Sequence, residues 1–455
     1  MYNSPFPHWM IENRSAVNVD LPVLAEVDVL VVGGGAAGVA AATTASEQGR
    51  SVILLERYGF CGGAAVAGMS GTICGLYLAR DTPHHPEQVV FGFTERFRSE
   101  LVRRGGLTEP QIYGKTFTVT HDPLMWRETA DFFLEAAGVK ILYHTVVTGV
   151  LMDEDTITGV VAESNAGRSV IKAKRVIDAS GDAAVVARAG YRYTFGDHGR
   201  IQNPTMFFRL GNVDLDAFSA YWGEDTISPP KISDAIKAAH ESGRYELPRN
   251  KIWIFPTTRP NELMVNATRL SGRDGRMLNV IDPADFTEAE LVGRFQVREY
   301  ARFLADHVPG CASSFVVDTG VEAGIRQTRS IAGKQTLSND DVVSGRKRSD
   351  GICRVPWPIE LHSGDKPKLH WLLDDFYEVP YGALVPERGE NLIVAGRSLS
   401  AEHEALASAR VTAQCFEYGH AAATAALISL EQARQFADID GEEVREQMKG
   451  RGSAL

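Results

Sequence analysis

Residues Asp28 to Val32 read DVLVV, a short apolar run, and the glycine-rich stretch GGGAAG follows it directly. Val39 to Gln48 is a run of small residues that predicts a helix, ended by Gly49, and Ser51 to Glu56 (SVILLE) is a second apolar run. Strand, glycine turn, helix, strand is a βαβ unit. Strands that are apolar at nearly every position belong to a parallel sheet covered on both faces. Gln88 to Arg104 predicts a helix with Val89, Phe93, Phe97 and Leu101 on one face. Leu124 to Ala137 predicts another, with Asp122 as cap, Pro123 in the first turn and Gly138 as stop. Strands follow over Val139 to Val150 and Ile157 to Glu163. The latter pairs with Ser169 to Ala173 around the Asn165–Gly167 turn, and Lys174 to Ala179 returns to the apolar strand type.

From about Gly196 to Leu384 the pattern changes. Strands with mixed polar faces are expected at Trp253 to Phe255 and Leu263 to Leu270, and a long amphipathic helix from Ala284 to His307. At Asn391 the first texture returns: NLIVAG is a strand entering a glycine turn, and a small-residue helix is expected over Leu406 to Leu430. The fold class predicted is α/β: a Rossmann-like parallel sheet, discontinuous in sequence, with an inserted α+β lobe. Its expected parts are 25–76, 137–196 and 385–430 for the nucleotide domain, 77–136 for a mainly helical insertion, 197–384 for a substrate or cap lobe, and 431–455 for a C-terminal tail.

Composition narrows the function classes. The 455 residues suffice for two or three lobes, and 44% apolar residues for substantial cores. The formal net charge of −11 does not suit a nucleic-acid surface, and Arg346-Lys347-Arg348 is a solvated loop by this reading. Five cysteines, an odd and sparse set with none in a CxxC pair, argue against a disulfide scaffold and an iron–sulfur site. His84-His85 beside Asp81 lacks a further ligand, so no metal is expected. No basic-then-apolar leader opens the chain and no stretch approaches a membrane span, so a cytoplasmic protein without membrane contact is expected.

The loop Gly33-Gly34-Gly35-Ala36-Ala37-Gly38 matches GxGxxG. Gly33 permits the tight turn, Gly35 lets a pyrophosphate approach the backbone, and Gly38 lets the helix sit close to the strand. Glu56 ends the second strand, where a carboxylate accepts hydrogen bonds from an adenosine ribose and repels a ribose 2′-phosphate. This argues against NADP and leaves FAD and NAD open.

The stretch GGGAAGVAAATTASEQGRSVILLERYGFCGG, Gly33 to Gly63, resembles the start of the FAD-dependent oxidoreductase family. So do VIDASGDAAVVARAG (Val176 to Gly190), GIRQTRSIAG (Gly324 to Gly333) and NLIVAGRSLSAEHEALASARV (Asn391 to Val411). The resemblance implies FAD as cofactor. It would place Glu56 on the adenosine ribose and Gly62 and Gly63 beneath the pyrophosphate and ribityl region. Ala179, Ser180, Gly181 and Asp182 would form a second turn on the adenosine side, and Gly396 and Arg397 would flank the pyrophosphate or ribityl chain. Arg57 and Val147 complete the expected cofactor set. The family's segment around Arg326 often reads RESRR; here it is RQTRS, one acid and one base short. Cys61 stands where the family usually has an apolar residue; it is either a flavin-linked or redox thiol, or an inert buried one.

The flavin carries the redox chemistry, and the protein supplies orientation and protons. His403, between Glu402 and Glu404, is the first candidate for acid/base or anion binding, its pKa raised by those acids, with a structural role as the alternative. His362, after the apolar PWPIEL stretch, is the second. Arg326 and Arg329, read as three apart on a helix, either clamp a carboxylate together or bridge the lobes. Trp253 and Trp357 wall the ring or pack within the lobe. If the helix after Arg397 points its N-terminus at the flavin, it stabilises the reduced anion. The expected activity is transfer of a hydride or electron pair between a small organic substrate and FAD, with an external electron acceptor or donor and a homo-oligomer as the default assembly. The alternatives are an NAD-dependent dehydrogenase, which would not need the later turns at Gly181 and Gly396, and a non-catalytic flavin-binding subunit of a redox complex.

Overall fold

A computed structural model describes residues 21–361 and 368–455. Its central sheet runs in the order Lys140–Leu142, Val52–Leu55, Val23–Val32, Gly167–Asp178, Thr156–Ser164, Val146–Asp153, and Leu392–Val394 also pairs with Gly167–Asp178. Val23–Val32, Val52–Leu55 and Lys140–Leu142 are parallel neighbours. The twelve-residue strand Gly167–Asp178 lies along Val23–Val32 on one side. Its other side is shared. Thr156–Ser164 pairs antiparallel with residues 167–171, and Leu392–Val394 pairs parallel with residues 176–178.

This sharing makes the site. Four parallel strands end side by side, so Gly33, Glu56, Ala179 and Ala395 leave the sheet at one edge, where an open α/β sheet presents its loops to a ligand. Hydrogen bonds tie the exits together: Gly33 N donates to Leu55 O at 2.8 Å, Ala179 N to Val32 O at 2.9 Å, and Ala395 N to Asp178 O at 3.0 Å.

Small residues bring the covering helices close. Ala36–Glu47 packs against Thr412–Gln432, where Gly419 lies against the Ala37 carbonyl so tightly that a β-carbon would overlap it. The chain continues through a helix at Gly441–Gly450 to Ser453, whose hydroxyl donates to Glu417 at 2.6 Å, so its last turn is anchored on Thr412–Gln432.

A second unit has its own core. Trp253–Pro256, Leu263–Asn266, Phe208–Gly211 and Phe315–Thr319 form a four-stranded antiparallel sheet. With the helix Pro283–His307 it buries Phe208, Ile254, Leu263, Tyr300 and Phe303 in a cluster separate from that of the central sheet.

Three local expectations are corrected. GIRQTRSIAG is not a helix: it runs extended, with Gly324 exchanging backbone hydrogen bonds with Thr205 and Arg329–Ile331 pairing antiparallel with Tyr193–Phe195. The small-residue helix expected over 406–430 is two helices, His403–Ala409 and Thr412–Gln432, broken at Arg410 and Val411. The helix expected from Gln88 begins only at Phe93, after Gly92 at φ +68°, because Val89 N is taken by Leu76 O. Among the described residues no helix is long and apolar enough to cross a membrane.

Candidate active site

The strand exits open into one cavity of about 1540 Å³ that extends from the glycine turns to the wall of the second unit. Pockets for drug-sized ligands occupy roughly 300–1,000 Å³, so this one has room for a dinucleotide and a small molecule besides.

At the nucleotide end, Gly33 takes φ +102°, and a β-carbon there would stand 2.5 Å from Ala179 O. Gly35 caps the helix Ala36–Glu47 without any side chain occupying its first amides, so the N-terminal N–H groups of Ala36 and Ala37 face the cavity. Gly63 closes from the other side, its added β-carbon 3.0 Å from Gly35 Cα. Gly38 does not line the cavity; it holds the helix against the strand, where a β-carbon would collide with Gly33 O. Glu56 is buried and accepts from Gly34 N at 2.7 Å and Tyr58 N at 2.9 Å. Burial raises its pKa, and those two amides partly oppose the shift. Arg57, Gly62, Val147, Ala179, Ser180, Gly181 and Gly396 also line this end. Arg57 and the Tyr58 hydroxyl both bind Glu322, tying the rim to the second unit.

Of two further residues expected at the cofactor, one stays out of the cavity and the other reaches it already hydrogen-bonded to the protein. Cys61 does not line the cavity: its thiol is fully buried behind Gly34, 3.6 Å from the Tyr143 hydroxyl, and burial holds its pKa far above the ordinary thiol range. Behind the backbone and outside the cavity lining, this thiol is not placed to reach a group held in the cavity. Arg397 reaches the cavity, but its Nε donates to Gly181 O at 3.0 Å, its Nη1 to Ile325 O at 2.7 Å, and its Nη2 meets Asp182 at 2.9 Å. Three of its five donors thus lock the Gly181 turn to the segment carrying Arg326.

Farther along, Cys74, Val411, Thr412 and Cys415 line the cavity, and the helix Thr412–Gln432 starts there with no side-chain cap. This second helix, rather than the one at His403, directs its positive end into the space. Beyond it lies a polar end walled by Phe207, Phe255 and Trp357 and carrying Tyr113, Arg326, Glu360 and Arg410. Tyr113 donates to Glu360 Oε1 at 2.8 Å. Trp253 is buried beside Tyr113, 6.1 Å between ring centroids, and does not reach the cavity.

His403 is absent from this lining. It packs by the Gly196–Arg200 turn with its Nδ1 buried and without a hydrogen-bond partner among the described residues. Its pKa is lowered, not raised. Burial outweighs the pull of Asp197 and Glu404, and Glu402 turns away to accept from Asn339 N at 2.6 Å. His362 lies outside the described residues. Arg326 and Arg329 do not act as a pair. Residues three apart in an extended chain point to opposite sides: Arg326 donates to Asn203 O, whereas Arg329 donates to Asp182 O and stacks on Tyr193.

Tyr113, Glu360 and Arg410 were not foreseen. The signals were a lone acid inside the apolar PWPIEL and a lone base between runs of small residues, each a charge that its neighbours bury. Among the described residues no group of His, Cys, Asp or Glu assembles for a metal ion.

The family model described as FAD dependent oxidoreductase matches residues 28–448. Thiamine thiazole synthase of Methanococcus vannielii is 34% identical over 173 residues, covering 36% of this chain and 60% of that protein. Digeranylgeranylglycerophospholipid reductase 1 of Methanococcoides burtonii is 27% identical over 267 residues, covering 58% of this chain and 59% of that protein. The chain thus spans about three fifths of the length of these curated relatives. A solved geranylgeranyl bacteriochlorophyll reductase-like protein from Thermoplasma acidophilum aligns over 94% of this chain and 84% of its own, with a TM-score of 0.49 and 15% identity.

Proposed function

The chain belongs to the FAD dependent oxidoreductase family and is an enzyme of that kind, and from this premise we propose that it binds FAD along the whole cavity and transfers a hydride or electron pair between the flavin and a small organic substrate at the Tyr113–Glu360 end. The observation that carries the reading is the single cavity itself, which joins the uncapped helix start at Ala36, the buried Glu56 and the uncapped helix start at Thr412. The amides of Ala36 and Ala37 suit a pyrophosphate and Glu56 suits a ribose diol, which favours a dinucleotide over FMN.

When bound, the flavin supplies the two-electron chemistry. The chain's residues do the rest. The positive end of the helix Thr412–Gln432, whose Ala413 N is already spent on Cys74 O, favours negative charge beside it, as a reduced flavin carries. Phe207, Phe255 and Trp357 keep water from the reacting atoms. Tyr113 and Glu360, hydrogen-bonded to each other, take or give the substrate's proton. This reading moves proton transfer from His403, which does not line the cavity, to the tyrosine–carboxylate pair. The partners it calls for are a small-molecule substrate and an external electron acceptor or donor.

The test is a reductive titration of the purified chain. The expected result is a two-banded visible spectrum that two electrons per chain bleach and an artificial acceptor restores. A protein that shows no such bands after incubation with FAD contradicts the reading.

A further inference from the structure

At the polar end of the cavity two guanidinium groups enter from different elements: Arg326 from the extended segment after Gly324, and Arg410 from the break between His403–Ala409 and Thr412–Gln432. Arg326 is only 6% exposed, yet the one hydrogen bond its guanidinium makes among the described residues runs from Nη1 to Asn203 O, at 2.7 Å. Arg410 donates from Nη2 to Gln202 Oε1 at 3.1 Å, while its Nε–H is buried without an acceptor among the described residues. Behind them Arg249, 3% exposed, spends Nη1 on Asn266 and lies over the Trp253 ring, with Nε and Nη2 lacking acceptors among the described residues. Burial, and after it repulsion from Arg249 and Arg410, pull the Arg326 pKa well below its ordinary value, with Glu360 only partly relieving it. Taking an ion out of water without a counter-charge is strongly unfavourable. A cluster in which, among the described residues, largely buried cations outnumber carboxylates is one suited to receive a negative charge.

The geometry points to a substrate that carries a carboxylate, seated by that group between Arg326 and Arg410 while its apolar part lies against Phe207, Phe255 and Trp357. A planar carboxylate matches the guanidinium fork. A phosphate dianion would bring a second negative charge toward Glu360, so a carboxylate is the better complement. This inference rests on the reading of the cavity as the flavin and substrate site.

The test uses matched probes on the purified flavin-loaded chain: acetate, succinate and benzoate against acetamide, succinamide and benzamide, with inorganic phosphate alongside. The readouts are the flavin visible bands and the melting temperature. At least one acid should shift the bands saturably and raise the melting temperature, with its amide inert at equal concentration. Arg326→Met and Arg410→Met should each weaken that acid about tenfold or more, as expected for a lost hydrogen bond to a charged group, while keeping their flavin. Amides that bind as well as the acids, acids that bind both variants as well as they bind the unmodified chain, the absence of binding by every acid, or phosphate binding tighter than every acid would each overturn it. The comparison of acid with amide needs no variant, so it stands even if a substitution prevents folding. A chain that takes up no flavin but is still stabilised by acids over amides would instead defeat the cofactor reading and leave the anion site standing.

Discussion

Gly35 has φ −70° and ψ −176°, backbone that any residue adopts, and a β-carbon there meets nothing of the protein nearer than Gly63 Cα at 3.9 Å. Its freedom is therefore kept for a ligand and not for the fold. Gly35→Asp should fold with an unchanged melting temperature in the flavin-free state and hold no flavin, because the carboxylate would occupy and repel the pyrophosphate position. Normal flavin absorbance in that variant would move the phosphates elsewhere. Glu56→Ala should weaken FAD binding by about 1.5–3 kcal/mol, the range for hydrogen bonds to a charged group, with the fold retained; an unchanged dissociation constant by flavin fluorescence titration would remove Glu56 from the ribose. The placement of both residues at the cavity was legible in the sequence because it follows from neighbours along the chain. Those of Arg397 and His403 were not. Arg397 is claimed by Asp182 and Ile325, more than seventy residues away at the nearest, and His403 by the Gly196–Arg200 turn. Neither partner leaves a trace in the local pattern.

At the scale of elements, the apolar runs at 28–32, 51–56, 174–179 and 391–395 were readable as parallel strands because strands buried on both faces have no polar alternation to confuse them. The break at Arg410–Val411 was hidden because no Gly or Pro marks it within a run of mostly small residues, and the extended course of GIRQTRSIAG by spacing that suits a helix equally well. The contact between Ala36–Glu47 and Thr412–Gln432 is the element-level joint of the site, since both helices start at the cavity. Gly419→Val should force them apart, destabilising the chain by roughly 1–3 kcal/mol, as overpacking does, and lowering flavin occupancy with it. Denaturant unfolding together with the flavin-to-protein absorbance ratio checks both; a variant matching the unmodified chain in each would show that the helices do not need this approach.

Across the molecule, acid stability should depend on a group under the cavity floor. His121 is 1% exposed, its Nε2 lies 3.1 Å from Ala65 O, and burial pulls its pKa down to about 4. The unfolded chain, with histidine near 6.5, binds this proton first as pH falls. The stability held by neutral His121 is full above about pH 6.5, is lost as pH drops toward 4, and amounts to about 3 kcal/mol. His121→Gln should flatten that part of the pH dependence of the urea midpoint; an unchanged slope would assign it to other groups. The whole account turns on one cavity, shared by two separately cored units, holding one particular dinucleotide. The most direct measurement is to precipitate the purified chain with acid and weigh the yellow compound in the supernatant by mass spectrometry. The account predicts FAD, about one per chain, all of it released because the Cys61 thiol is sealed behind Gly34. FMN, a nicotinamide dinucleotide, or flavin left in the protein pellet would contradict it.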